Sequence, residues 1–255
     1  MRFVTYLAPS IPAAFYQALA EQVARSLGLE SVLEVDVRRS GPQVNADPFS
    51  RGQADVGFMC APCYQELCEL PTPPVELLVA PVYADPRNEG RPVYFSEVVV
   101  RLDADYADFA DAACRGRWTY NDQGSLSGYH SVLHRVRELG RSIDVFADAV
   151  QSGSHLRSLE LVAEGAFDAA AIDANVLAMR LEADGRTLDR LRILTTLGPH
   201  PVQPVVVRAG LPTELKDRLR RVLLDLAEDP AGAELLARYR IQRFVHVDDT
   251  DYASP

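Results

Sequence analysis

The stretch Ala54–Cys68, ADVGFMCAPCYQELC, reads in two ways, and the choice between them decides the fold. An apolar run ends in Cys60, Cys63 follows after two residues, and a helical pattern begins. Strand, C-x-x-C and helix is the layout of a thiol redox pair, because a helix N-terminus lowers the pKa of a thiol placed there. The same order also describes one strand–turn–helix step of a larger α/β protein. The rest of the chain has to choose.

It does so by rhythm. Short apolar runs alternate with amphipathic stretches. Strands are predicted at 2–7, 32–37, 55–59 and 75–82, with helices at 12–27, 44–52 and 62–69 between them. This β-α-β-α-β-α-β order predicts a mainly parallel sheet flanked by helices. After the turn-rich DPRNEGRP (85–92), the alternation resumes. Strands are predicted at 93–101, 117–121, 168–172, 191–195 and 202–208. Helices are predicted at 106–113, 129–139, 155–164, 174–183, 213–227 and 230–239. Two α/β units separated by turn-rich joins predict two lobes. Residues 1–90 with 203–255 form the first, the C-terminal helices returning to it, and 91–202 form the second. Between two such lobes lies a cleft, a common ligand site.

Composition narrows the function. With 36 acidic against 26 basic residues, the net charge of −10 argues against a general nucleic-acid binder. No run approaches the 18 or so apolar residues that a membrane helix needs. The N-terminus lacks a basic segment followed by an apolar core and a cleavage site. The sequence as it stands therefore predicts a cytoplasmic chain, or a periplasmic one whose export signal has been removed. A monomer is expected. Cys60, Cys63, Cys68 and Cys114 include no second close pair, so neither a zinc site nor a disulfide scaffold is expected. No cofactor is called for.

Three stretches can carry chemistry. In YNDQGSLSGYHSVL (120–133), a strand runs through a polar loop into a helix. Ser125 and Ser127 offer hydroxyls, and the N–H groups of Ser127, Gly128 and Tyr129 fall in the first turn, where backbone donors lack partners. The helix dipole favours an anion there, and Gly128 would let it approach the backbone. Alternatively, Ser125 or Ser127 is only an N-cap. In QSGSHLRSLELVAEG (151–165), Ser154 is the expected cap and His155 stands in the first turn, as a ligand group or as an ordinary surface histidine. In AAAIDANVL (169–177), Asp173 ends an apolar strand, where open α/β sheets bind ligands, or else caps the helix after it.

Taken in order, these pieces resemble the PhnD-like phosphate/phosphite/phosphonate-binding proteins of ABC importers, which have the type 2 periplasmic binding fold. GQADVGFMCAPCY is similar to that family's G-x-x-D-V-A-(apolar)₂-G-P-x-x-Y segment. GRWTYNDQGSLSGY looks like its strand, D-P-x-S-x-S-G and helix, and SGSHLRSLELVAEGAFDAAAID like its S-G-S-H and I-D block. PVVVRAGLPTELKDRLRRVLLDL and FVHVDDTDY match its ending. The resemblance implies a non-catalytic protein that closes two lobes on a small oxyanion and delivers it to an ABC permease, or a related soluble sensor. It implies ligand contacts at Ser125, Ser127, Gly128, His155 and Asp173. Tyr94 in PVYFS matches a cleft tyrosine, and Tyr6 is placed there by position. Ala61 and Pro62 fall at the cleft rim, with Cys60 where the family has glycine. Leu126 stands where phosphonate and phosphite binders have threonine, which removes one hydroxyl. A hydrogen bond to a charged group is worth roughly 1.5–3 kcal/mol. The rival reading from another class is a thiol–disulfide oxidoreductase using Cys60 and Cys63.

Overall fold

The computed structural model describes residues 1–142 and 148–253, with the backbone alone for Thr187 and Leu188. The chain forms two compact units, Met1–Val93 with Pro201–Pro255, and Tyr94–His200.

In unit 1 the strands are β1 (Arg2–Thr5), β2 (Val32–Val35), β3 (Val56–Phe58), β4 (Val75–Tyr83), β10 (Val205–Arg208) and β11 (Ile241–Val245). Its helices are α1 (Ala13–Ser26), α2 (Ala61–Cys68), α7 (Thr213–Leu224) and α8 (Pro230–Arg238). The sheet order is β11-β4-β10-β3-β1-β2. β1 pairs in parallel with β2 and β3, but β10 runs antiparallel between β3 and β4, and β11 is antiparallel to β4. The sheet is therefore mixed rather than mainly parallel. A plain β-α-β succession would set β3 beside β4. A strand far along the chain, β10, takes that place because Val205, Val206 and Val207 are buried on both faces there. Each such valine contributes about 1.5–3 kcal/mol on burial. The helix expected at 44–52 is a single 3₁₀ turn, Val44–Ala46. Pro48 breaks the pattern, and Asp47 takes the Ser50 N–H (2.8 Å) and hydroxyl instead.

Unit 2 has strand order β7-β6-β8-β5-β9, comprising β5 (Val93–Arg101), β6 (Trp118–Tyr120), β7 (Val150–Gln151), β8 (Ala169–Asp173) and β9 (Leu191–Pro201). β6 pairs in parallel with β7 and β8, while β5 is antiparallel to β8. Strand alternation divides the core between the two faces. On one face, Val98, Val100, Ala169 and Ala171 meet Phe109 and Ala112 of α3 (Phe109–Arg115) and Val132 and Val136 of α4 (Ser131–Glu138). On the other, Val99, Ala170 and Ile172 meet Leu159 and Val162 of α5 (His155–Ala163) and Leu177 of α6 (Ala174–Ala183). The alanines of β8 let helices approach closely from both sides. Among the described residues, no helix is long and apolar enough to cross a membrane.

Candidate anion-binding site

The parallel trio β7, β6 and β8 fixes the site, because its strands all end at one edge of the unit 2 sheet. After β6 the chain enters a turn leading to α4; after β7 comes α5, and after β8 comes α6. Three helical N-termini thus start from the same edge, the place where open sheets bind ligands.

The turn after β6 is built by its own side chains. The Asp122 carboxylate accepts the Gly124 N–H (2.7 Å), and its carbonyl accepts the Ser125 N–H (3.1 Å). Ser125 is extended, and its Oγ accepts the Gly128 N–H (3.1 Å). Residues Leu126–His130 then form one π-turn before α4, so Tyr129 and His130 both donate to the Ser125 carbonyl. Single π-turns often mark functional positions. Two hydroxyls, Ser96 Oγ (2.7 Å) and Ser131 Oγ (2.8 Å), donate to the Ser127 carbonyl and fix its backbone.

Ser127 Oγ faces His155 Nε2 at 3.2 Å, and both residues are buried. His155 opens α5 directly after its cap, Ser154, whose Oγ accepts the Arg157 N–H (3.1 Å). The loop before it is tied to the end of β6: Ser152 N–H donates to the Tyr120 carbonyl (2.7 Å) and Gly153 N–H to the Asn121 carbonyl (3.0 Å). Gly153 has φ +93°, which only glycine adopts without strain. Burial pushes the His155 pKa down to about 4, opposed only by the Ala171 carbonyl. The ring is therefore neutral at pH 7. Its Nδ1 is buried and makes no hydrogen bond of good geometry.

Several sequence expectations change here. His155 is not a surface histidine that swings out; it is 4% exposed and packed. The N–H groups of Gly128 and Tyr129 are not open donors, because Ser125 takes both. The Ser127 N–H has no acceptor among the described residues. Gly128 is required for packing rather than for ligand approach. A Cβ there would stand 1.8 Å from Asn121 Oδ1 and 3.1 Å from His155 Cε1. Asp173 caps α6, its Oδ1 accepting the N–H groups of Asn175 (2.8 Å) and Val176 (3.3 Å). It lies opposite Ser96 in the β5–β8 register. Ser96 and Asn121 were not singled out in the sequence. Ser96 had a signal, a lone serine in the apolar run of β5; Asn121 had none.

Tyr94, Ser125, Ser127, Gly128, His155 and Asp173 belong to unit 2, whereas Tyr6, Ala61 and Pro62 belong to unit 1. Tyr94 is buried at the start of β5, its ring edge-on to His200 with centroids 6.0 Å apart. Tyr6 is buried, and burial, then Asp36 and Glu34, raise its hydroxyl pKa, so it remains a donor. Ala61 and Pro62 form the first turn of α2, where a proline costs no hydrogen bond. Cys60 is the N-cap residue, and its N–H donates to the Ser40 carbonyl (2.8 Å). Cys60 and Cys63 are buried free thiols, and Cys63 packs so closely on Gly41 that a Cβ there would lie 2.2 Å from its own. Such inaccessible thiols are poor redox centres.

The sequence pattern of one protein family spans nearly the whole chain, residues 2–252. No curated protein sequence matches it. Among solved structures, PhnD1 from Prochlorococcus marinus, in complex with methylphosphonate, superposes with a TM-score of 0.83 at 16% identity, covering 99% of this chain and 94% of its own. A binding-protein component of an ABC phosphonate transporter from Pseudomonas aeruginosa gives 0.81 at 17%, covering 99% and 82%. A Xanthomonas citri protein bound to ATP gives 0.70 at 17%, covering 98% and 92%. At these identities the structures establish a shared fold, that of type 2 periplasmic binding proteins. With the family pattern matched from strand β1 to the C-terminal segment, the chain belongs to the family of ABC-transporter phosphonate periplasmic substrate-binding proteins.

Proposed function

We propose that this chain binds a small phosphorus oxyanion, a phosphonate, phosphite or phosphate, without chemically changing it, and presents it to an ABC permease in the periplasm. The observation that carries the reading is the buried Ser127–His155 pair (3.2 Å) beside the open Ser127 N–H, at an edge where three helices begin. With its proton on Nε2, the neutral imidazole donates to Ser127 Oγ and leaves the serine O–H to donate to an anion, so the pair gives a hydrogen bond without adding charge, and the helix N-termini supply the favourable field. The Asp122 and Asp173 carboxylates accept backbone N–H groups, which offsets part of their repulsion. Leu126 in place of a threonine leaves the cradle one hydroxyl short, so affinity for the most highly charged ligand is expected to be lower than with threonine there.

Calorimetric titration with methylphosphonate, phosphite and inorganic phosphate tests this. Binding of at least one is expected, weakened about tenfold or more by Ser127→Ala. Absence of heat and of thermal shift with all three would sink the phosphorus-ligand reading.

A further inference from the structure

We propose that Asn121 is an additional ligand-binding residue, whose side-chain Nδ2 donates a hydrogen bond to the bound oxyanion. The inference rests on the oxyanion reading above and adds a contact to it. Asn121 follows β6 directly and is 7% exposed. Its carbonyl accepts the Gly153 N–H (3.0 Å), so its backbone is clamped to the loop that delivers His155. Its Oδ1 lies against the Cα of Gly128, where a Cβ would approach to 1.8 Å, and it finds no donor. One residue thus touches, with its side chain, the turn that carries Ser127 and is tied, through its backbone, to the loop that carries His155.

The amide's orientation follows from its surroundings. The Gly128 Cα–H can face an oxygen weakly, but it offers nothing to an N–H. With Oδ1 turned inward, Nδ2 points away from Gly128, and it makes no hydrogen bond among the described residues. The buried Oδ1 lacks a partner, whereas Nδ2 is not a buried atom and is open to an acceptor at the site. An anion held by Ser127 and His155 would supply the missing acceptor. It would also replace, in part, the donor lost at Leu126. Only glycine at 128 leaves room for this arrangement.

The test uses the full chain, methylphosphonate, phosphite and inorganic phosphate, and two variants. Asn121→Asp keeps the shape but exchanges the amide donor for a carboxylate that repels an anion. Asn121→Ala removes the group. For whichever anion the wild type binds, Asn121→Asp is expected to weaken affinity at least tenfold at pH 7.5. That loss should narrow at pH 5, where the carboxyl begins to protonate, and a purely structural role would not give this pH dependence. Asn121→Ala is expected to lose about tenfold. If Ser127→Ala weakens binding while a folded Asn121→Asp protein binds within threefold of wild type at pH 7.5, this inference is overturned and the oxyanion reading stands. If the wild type binds none of the three anions, the oxyanion reading fails and this contact with it.

Discussion

Ser127 Oγ and His155 Nε2 stand 3.2 Å apart, both buried, although 28 residues separate them in the chain. Neither group is charged at neutral pH, since burial holds His155 near pKa 4. The pair is a neutral hydrogen-bonding unit set at the ends of parallel strands.

The burial of His155 makes stability depend on pH. The unfolded chain takes up a proton on this residue near pH 6.5, the folded chain only near 4. Stability is therefore complete above pH 6.5 and declines as pH falls toward 4. His200, also lowered to about 4 by burial, adds to the same window. Urea denaturation at pH 7 and pH 5 should differ by on the order of 1–2 kcal/mol per histidine, and His155→Gln should remove its share.

Asp55 acts in the same direction but in a more acidic range. Burial favours its neutral form, but the Arg2 N–H (2.9 Å) and the Arg208 guanidinium (3.1 Å) outweigh this and hold its pKa below the usual carboxylate value. Its contribution is present above the unfolded pKa and is lost as pH falls through the folded one. Asp55→Asn should cost about 1–3 kcal/mol at pH 7, with the difference from wild type shrinking in acid.

Two glycines are tested by adding a methyl group. Gly128→Ala forces a Cβ against Asn121 Oδ1, and Gly57→Ala places one 2.4 Å from Phe49 Cζ. Each should destabilise by about 1–3 kcal/mol in thermal or denaturant unfolding. Only Gly128→Ala should also impair anion binding, because only Gly128 lies in the cradle.

Thiol labelling checks the cysteines. Cys114 is exposed and should be alkylated first in the folded protein. Cys68 is half-buried and its thiol pKa is raised by burial, so it should follow more slowly. Cys60 and Cys63 should react only on unfolding, as followed by mass spectrometry. Rapid modification of Cys60 in native protein would revive the oxidoreductase reading.

Shortening β10 tests the inserted strand. Val206→Ala leaves a hole between β3 and β4 and should cost about 1–3 kcal/mol, read from the denaturation midpoint. A similar truncation of Val35, 39% exposed on edge strand β2, should cost under about 0.5 kcal/mol.

Much of the fold was legible because local patterns are enough to specify it. The apolar stripe of α1 and its Gly28 stop, the valine run of β5, and the Ser154 and Asp173 caps all appear in the chain where the structure puts them. What could not be read was pairing at a distance. Nothing near Val205–Arg208 states that this strand enters between β3 and β4, or that β11 joins an edge, since strand order depends on which buried surfaces fit together.

The candidate site divides in the same way. By itself, the sequence determined that serines 125 and 127, His155 and Asp173 stand at helix starts, because caps and turns are local chemistry. Only the tertiary structure decided what each group does there. It turned His155 inward onto Ser127 and tied the Gly153 loop to Asn121 at the end of β6. These partners come from separate segments, and a hydrogen bond needs both ends within about 3 Å, a condition that only the folded β6–β7–β8 edge fulfils.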